Sequence, residues 1–159
     1  MIDQIPITIS GEKKLIKELN ILKKIKRPQI INALKEARNH GDLKENAEYH
    51  AAREEQSFCE GRIRYIETIL SKANIIDIKK INSNGRVIFG STITILNIFQ
   101  KKISTYRIVG DDESNFKKKL ISINSPVARY LIGKKINDIV SVKTPRGSVS
   151  YKILSIEHI

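Results

Sequence analysis

The sequence predicts an α-helical hairpin followed by a small α+β domain built on an antiparallel sheet. Apolar residues recur every three or four positions up to about residue 75, and at every second position after about residue 78. A glycine-containing break at residues 40–46 divides the helical part into two arms. Because 159 residues hold at most two small domains, we expect residues 1–78 to form the hairpin and residues 79–159 to form the sheet domain.

The first arm is predicted to begin at Thr8 or Ser10 and to carry one apolar stripe. The stripe has two runs with steps of three and four inside each run: Leu15, Leu19, Leu22 and Ile25, then Ile31, Leu34 and Ala37. Pro28 lies inside this arm and lacks the N–H that an α-helix uses, so we expect a local kink there. Gly41 supplies the positive φ that commonly ends a helix, which places residues 41–46 at an acidic tip.

The second arm is predicted to run from the tip to about residue 75. Its apolar stripe has spacings of four, seven and seven and consists of Ala47, Ala51, Phe58 and Tyr65, widened further on by Ile66, Ile69 and Leu70. Two helices of about 30 residues joined by a short turn pack antiparallel, over roughly 45 Å at ~1.5 Å per residue.

Five short segments of the second half are rich in Ile, Val, Thr and Tyr and are bounded by turn residues, which is typical of strands. They are Arg86–Phe89, Thr92–Ile98, Ser104–Val109, Ile139–Lys143 and Val149–Ile156. Between the third and fourth segments, Ser125 and Pro126 are suited to the N-cap and first position of one short helix over residues 127–132. Residues 78–85 form the expected linker.

Composition indicates which compartment, covalent links and kind of partner to expect. No apolar run approaches the roughly 20 residues that cross a bilayer, and the first residues do not resemble a secretory signal, so we expect a cytoplasmic protein without a membrane partner. The single cysteine, Cys59, excludes an internal disulfide. The net charge of +12 indicates a polyanionic partner such as nucleic acid or an acidic protein surface. The alternative is that an A+T-rich genome has enriched the chain in Lys, Ile and Asn.

The predicted tip carries two carboxylates, Asp42 and Glu45, three positions apart. One interpretation is a capping box, in which Asp42 caps the second helix and Glu45 bonds back to it. The other is a site for Mg²⁺, which binds to one or two carboxylates together with water and phosphate oxygens. Two carboxylates cannot fix the geometry of a two-metal hydrolysis, so another protein would have to complete such a site. Arg38 and Arg53 on the two arms are either RNA-phosphate ligands or ordinary solvated side chains.

The stretch EARNHGDLKENAEYHAAREEQSFCEGRI, residues 36–63, resembles the tip motif of the Gre family of bacterial transcript-cleavage factors. The segments IPITISGEKKLIKEL, NGRVIFGSTITIL, YRIVGDDE and ISINSPVARYLIGKKINDIV extend the resemblance over nearly the whole chain in the same order. It implies a coiled-coil hairpin inserted through the secondary channel of RNA polymerase, and an FKBP-like second domain that grips the polymerase. The protein would be a monomer without a cofactor of its own that stimulates cleavage of backtracked RNA by the polymerase.

The same resemblance assigns roles to seven residues. Asp42 and Glu45 would help to hold a Mg²⁺ shared with the polymerase and would orient the attacking water. Arg38 and Arg53 would face the RNA 3′ segment, while Asn124, Ser125 and Pro126 would contact the polymerase. The chain departs from the family in having Tyr130 at a position that is often small, and in the basic residues Lys101, Lys102 and 117–119. A channel-binding regulator, a prolyl isomerase and a stand-alone nuclease are the alternatives.

Overall fold

The computed structural model describes residues 4–159 and has two compact units. One contains Glu12–Ala73, and the other combines Gln4–Gly11 with Asn74–Ile159. The predicted fold class is confirmed: a helical hairpin is followed by a mostly antiparallel sheet with one short helix. None of the helices in the described part is long and apolar enough to cross a membrane.

The first arm of the hairpin is formed by α1 (Ile9–Ile21) and α2 (Arg27–Asn39), joined by a π-helical segment at Leu22–Lys26. The Arg27 N–H donates to the Leu22 carbonyl, five residues back, so the turn just before Pro28 is wider than an α-helical turn. The irregularity therefore lies beside the proline, where the sequence predicts a kink.

The buried seam of the first arm differs from the predicted stripe. Leu15, Leu34 and Ala37 are buried as predicted, but Ile25 and Ile31 are 52% and 53% exposed. Ile30 is buried in place of Ile31. The wide π turn takes up about one extra residue, so the step of eight from Leu22 to Ile30 acts as a heptad step and returns to the same face.

The second arm is the single helix α3 (Ala47–Lys72). Its buried residues are Ala52, Cys59, Ile63, Ile66 and Ile69. The predicted stripe of Ala47, Ala51, Phe58 and Tyr65 is wrong, because all four are exposed and Phe58 is 79% exposed. The seam lies one position further along the helix, where Ala52, Cys59 and Ile63 form a buried cluster with Ile30 and Leu34. Ile66 is fully buried further along the same helix.

Three ion pairs join the two arms at the border of this seam. Arg62 donates two hydrogen bonds to Glu18 at 2.7 and 3.0 Å, and Arg27 donates two to Glu60 at 2.7 and 2.8 Å. A third pair joins Lys23 to Glu67 at 3.1 Å. The hydrogen bonds from the guanidinium groups lower the pKa of Glu18 and of Glu60.

The second unit contains β1 (Ile5–Thr8) paired with β2 (Ala73–Ile76), and a separate five-stranded sheet. The sequence predicts helix up to about residue 75, but α3 ends at Lys72, and β-branched Ile75 and Ile76 favour the strand that comes next. The larger sheet has the order β5-β4-β3-β7-β6. Its strands are β3 (Thr92–Asn97), β4 (Lys102–Val109), β5 (Leu120–Ser122), β6 (Ile139–Thr144) and β7 (Gly147–Glu157).

All pairs in this sheet are antiparallel except β4 with β5. The helix α4 (Pro126–Leu131) buries Ala128 and Leu131 against Ile93, Ile95 and Ile153. The predicted strand Arg86–Phe89 is wrong: only Arg86 makes an isolated bridge, to Lys135. Val87 and Phe89 are still buried in this core, so the alternation reflects burial rather than pairing with a neighbouring strand.

Within the second unit, Glu113 fixes the segment Gln4–Gly11 to the rest of that unit. This carboxylate accepts hydrogen bonds from the Thr8 N–H at 3.2 Å, the Gly110 N–H at 3.0 Å and the Thr8 hydroxyl. The Thr8 hydroxyl in turn accepts from the Gly11 N–H at 3.1 Å, as an N-cap does. A Cβ on Gly11 would overlap the Glu113 side chain, so this close approach requires glycine.

Candidate functional site

The tip of the hairpin is the loop of residues 40–46 between α2 and α3. At the end of α2, the His40 N–H donates to the Ala37 carbonyl at 3.2 Å, and the Gly41 N–H donates to Arg38 at 3.3 Å. Gly41 has φ +103°, and a Cβ built there would meet nothing within 4 Å. Backbone conformation rather than space therefore favours glycine at the point where the chain leaves the helix.

Asn46 closes the loop by bonding to both helices. Its side-chain oxygen accepts from the Tyr49 N–H at 3.1 Å and caps α3, while its amide nitrogen donates to the Ala37 carbonyl at 2.6 Å. A His50 ring nitrogen lies 3.0 Å from the Lys44 carbonyl and supports the loop from the first turn of α3. Asn46 was not predicted as the cap from the sequence, although Asn is among the residues most favoured at N-caps.

The capping-box interpretation of Asp42 and Glu45 is wrong, because Asn46 holds the cap of α3. Asp42 instead accepts a hydrogen bond from the Lys44 N–H at 2.9 Å within the loop. Within residues 4–159, no hydrogen bond or ion pair holds Glu45. Both carboxylates are exposed and line one open groove together with His40, Asn46 and Glu48. The tip therefore presents two acidic side chains whose carboxylate oxygens make few contacts within the protein and are available to a ligand.

The chemistry of this groove suits a hard cation that is shared with another molecule. Across the described residues, no cluster of three or more His, Cys, Asp or Glu side chains is arranged to hold a metal ion. Asp42 and Glu45 offer the one or two carboxylates that Mg²⁺ typically takes from a protein, with the rest of its shell left to water and phosphate oxygens. These two carboxylates therefore fit Mg²⁺ as part of a coordination shell that water and another molecule complete.

The two predicted RNA-binding arginines lie on either side of the tip, and both are exposed. Arg38 is in the last turn of α2, with its guanidinium carbon 6.0 Å from the centre of the Tyr49 ring. Arg53 lies two turns into α3. Neither forms an ion pair with any part of the chain that the structure describes, so both cations are available to phosphates.

Of the predicted polymerase-contacting residues, Asn124 and Ser125 lie in the loop between β5 and α4, and Pro126 begins α4. The Asn124 amide donates to Asp111 at 2.8 Å, and the Ser122 hydroxyl also donates to Asp111. Ser125 caps α4 by accepting from the Ala128 N–H at 3.3 Å, which leaves Pro126 exposed at the first helical position. Asp111 thus fixes the loop, a role that was not predicted from the sequence.

Sequence comparisons match both halves of the chain. Residues 5–75 match the model of the N-terminal region of transcription elongation factors, and residues 82–158 match the GreA/GreB C-terminal model. Transcription elongation factor GreA of Buchnera aphidicola subsp. Baizongia pistaciae is 67% identical over 158 residues, covering 99% of both chains. GreA of Yersinia pestis bv. Antiqua is 58% identical, covering 98% of this chain and 99% of that protein. A crystal structure of the GreA homologue Gfh1 from Thermus thermophilus is 25% identical, with a TM-score of 0.44 over 97% of this chain and 99% of that one.

Proposed function

Because this chain belongs to the GreA/GreB family of transcription elongation factors, we propose that it binds RNA polymerase and stimulates cleavage of backtracked RNA by the polymerase. The hairpin would enter the secondary channel and bring its tip to the active site. The protein would act as a cytoplasmic monomer, with no catalytic activity when alone.

The observation that carries this proposal is the state of the two tip carboxylates. Asp42 and Glu45 are exposed on a loop that is closed by Asn46, so the fold does not need either carboxylate to cap α3. At ~1.5 Å per residue, the 26 residues of α3 extend for roughly 39 Å, which is suited to presenting side chains at the end of a long arm.

In the proposed mechanism, Asp42 and Glu45 complete a site that the polymerase begins. Mg²⁺ bound between these carboxylates and the polymerase would supply Lewis-acid activation of water and charge stabilisation at the phosphate. A carboxylate oxygen of either residue can also accept a hydrogen bond from the attacking water and orient it. The remaining ligands and the alignment of the RNA come from the polymerase.

The other predicted residues supply binding rather than chemistry. Arg38 and Arg53 carry positive charge on either side of the tip and would pair with phosphates of the extruded RNA 3′ segment. Asn124, Ser125 and Pro126 would contact the polymerase from a loop that Asp111 holds in place. These contacts would place the RNA end and the tip together before hydrolysis.

The test is RNA cleavage in a stalled polymerase complex with the double variant Asp42→Asn, Glu45→Gln. Both changes keep side-chain size and remove charge, so we expect cleavage to fall to the level of polymerase alone while polymerase binding is retained. A channel-binding regulator without a cleavage role predicts no change in cleavage for this variant. Incubating RNA with Mg²⁺ and the protein without polymerase tests the stand-alone nuclease, and we expect no cleavage there.

A further inference from the structure

Two hairpin turns lie at the same end of the five-stranded sheet. The β3–β4 turn covers residues 98–101 and the β6–β7 turn covers residues 145–146. Strands β3 and β7 pair antiparallel with Asn97 opposite Tyr151, and the Ile98 N–H donates to the Ser150 carbonyl at 3.1 Å. This register brings the two turns together at what we call the hairpin end.

The charge of this domain is separated along its strands. Lys101, Lys102, Lys143 and Arg146 lie in or beside the two turns, and all four are exposed. No ion pair within residues 4–159 neutralises any of them. Four of the five carboxylates of residues 79–159 follow β4 or end β7, at the other end of the strands: Asp111, Asp112, Glu113 and Glu157. The fifth, Asp138, precedes β6, and its carbonyl accepts from the Ile153 N–H near the middle of β7. The hairpin end therefore concentrates positive potential without a compensating acid.

An exposed aromatic ring accompanies these cations. Phe99 is 93% exposed in the β3–β4 turn, two positions before Lys101. The turn itself is closed by other groups, since Asn97 accepts from the Gln100 N–H at 3.1 Å. The ring adds nothing to the core of the domain, although phenylalanine is among the residues most often buried. Its position next to unpaired lysines suits a ligand that offers both a flat apolar face and negative charge.

We propose that the hairpin end binds single-stranded nucleic acid, with a base stacked on Phe99 and the backbone phosphates paired with the four cations. Every base has a face that stacks on an aromatic ring, and Lys and Arg neutralise phosphates. The four strands β4, β3, β7 and β6 span ~14 Å at ~4.8 Å per neighbour, which matches roughly four stacked nucleotides at ~3.4 Å each. Ile98 and Ile103 beside the ring are 40% and 62% exposed, so the apolar part of this end is wider than Phe99 alone. An acidic protein surface fits less well, because the centre of a protein interface is depleted of charged residues, whereas four cations lie among these apolar side chains.

The experiment measures binding of the full chain, without polymerase, to fluorescent 20-residue oligonucleotides of thymidine or uridine by anisotropy over a range of salt. The variant Lys101→Gln, Lys102→Gln removes two of the four cations. We expect it to weaken binding about fivefold at low salt and to flatten the slope of log affinity against log salt by about 1.4, at ~0.7 per phosphate contact. Its matched control, Lys134→Gln, Lys135→Gln, removes the same charge from two exposed lysines before β6, outside the two turns, and should leave the slope close to that of the unmodified chain.

Phe99→Ser tests the stacking contact. We expect it to weaken oligonucleotide binding about tenfold while leaving binding to heparin, a polyanion without bases, unchanged. Phe99→Tyr should restore oligonucleotide binding. Binding to either oligonucleotide supports the proposal, and comparing their affinities shows which of the two is preferred. Equal losses from both lysine pairs, or an unchanged oligonucleotide affinity for Phe99→Ser, would overturn it. Since no polymerase is present, these outcomes are independent of the cleavage role.

Discussion

Asn46 should contribute more to the stability of the hairpin than any other side chain of the tip loop. Substitution by Ala removes the N-cap of α3, which costs ~0.5–2 kcal/mol, and the hydrogen bond to Ala37, which contributes ~0.5–1.5 kcal/mol net. The Ala37 carbonyl still accepts from the His40 N–H at 3.2 Å in this variant, so the loss stays within the range for one hydrogen bond. We therefore expect Asn46→Ala to lower the free energy of unfolding of the helical unit by about 1–3 kcal/mol.

The measurement is urea unfolding followed by helical circular dichroism, with two companion variants. Asn46→Ser keeps an oxygen that can cap α3 but loses the amide donor. Its free energy of unfolding should therefore fall only by the ~0.5–1.5 kcal/mol that the hydrogen bond to Ala37 contributes. Asn39→Ala removes an exposed asparagine from the end of α2 and should change the free energy by no more than ~0.5 kcal/mol. If Asn46→Ala proves as stable as Asn39→Ala, Asn46 does not hold the tip closed.

In the stalled-complex cleavage assay, Asn46→Ala tests whether the position of the tip carboxylates matters as well as their charge. Asn46→Ala keeps Asp42 and Glu45 but loosens the loop that carries them, so cleavage should fall at saturating protein concentration. Because catalytic groups tolerate displacements of only about 1 Å, a loss of the order of tenfold to a hundredfold is expected. Full cleavage by a destabilised tip would show that the loop is ordered by the polymerase rather than by Asn46.

Three further predictions concern the folded chain. Hydrogen bonds from Arg62 lower the pKa of Glu18, so this ion pair stabilises the fold above a pH of about 4.5. The stabilisation is lost as the pH falls through the lowered pKa. Glu18→Gln should therefore lower the free energy of unfolding by ~0.2–1 kcal/mol at pH 7 and leave it unchanged near pH 2, as measured by urea unfolding at each pH. Gly11→Ala should cost ~1–3 kcal/mol in thermal or urea unfolding, because its Cβ displaces Glu113 from Thr8 and Gly110, whereas Gly61→Ala, with nothing within 4 Å, should stabilise by ~0.5–1 kcal/mol. Ile30→Ala should cost ~2–4 kcal/mol and Ile31→Ala less than ~0.5 kcal/mol; equal losses would mean that the seam has the predicted rather than the observed phase.

The limits of prediction from sequence are clearest in the hairpin seam. Periodicity established that both arms are amphipathic helices, but it could not fix which side chains face inward. A π turn at Leu22–Lys26 shifts the phase between Leu22 and Ile30, and nothing in the local pattern shows how many residues that turn will absorb. On α3, the spacing of seven from Ala51 through Phe58 to Tyr65 predicted the wrong face. The buried residues Ala52, Cys59 and Ile66 have the same spacing one position later, so spacing alone does not distinguish the two stripes. Cys59, Ile63 and Ile66 are the residues that are buried, and the choice between the two stripes depends on packing against the first arm, which the sequence of α3 alone does not show.

The tip loop shows the same limit at the level of a single helix cap. Asp42 and Asn46 are equally good N-caps in isolation, and Glu45 three residues after Asp42 favours the earlier one through the capping-box pattern. The choice is made by the antiparallel arm: only Asn46 can cap α3 and also donate to Ala37, because an aspartate has no N–H to offer. With that cap in place, the carboxylates of Asp42 and Glu45 are not required for helix capping. Their exposure is thus a consequence of how the two helices are joined, and this leaves both side chains available to a ligand outside the chain.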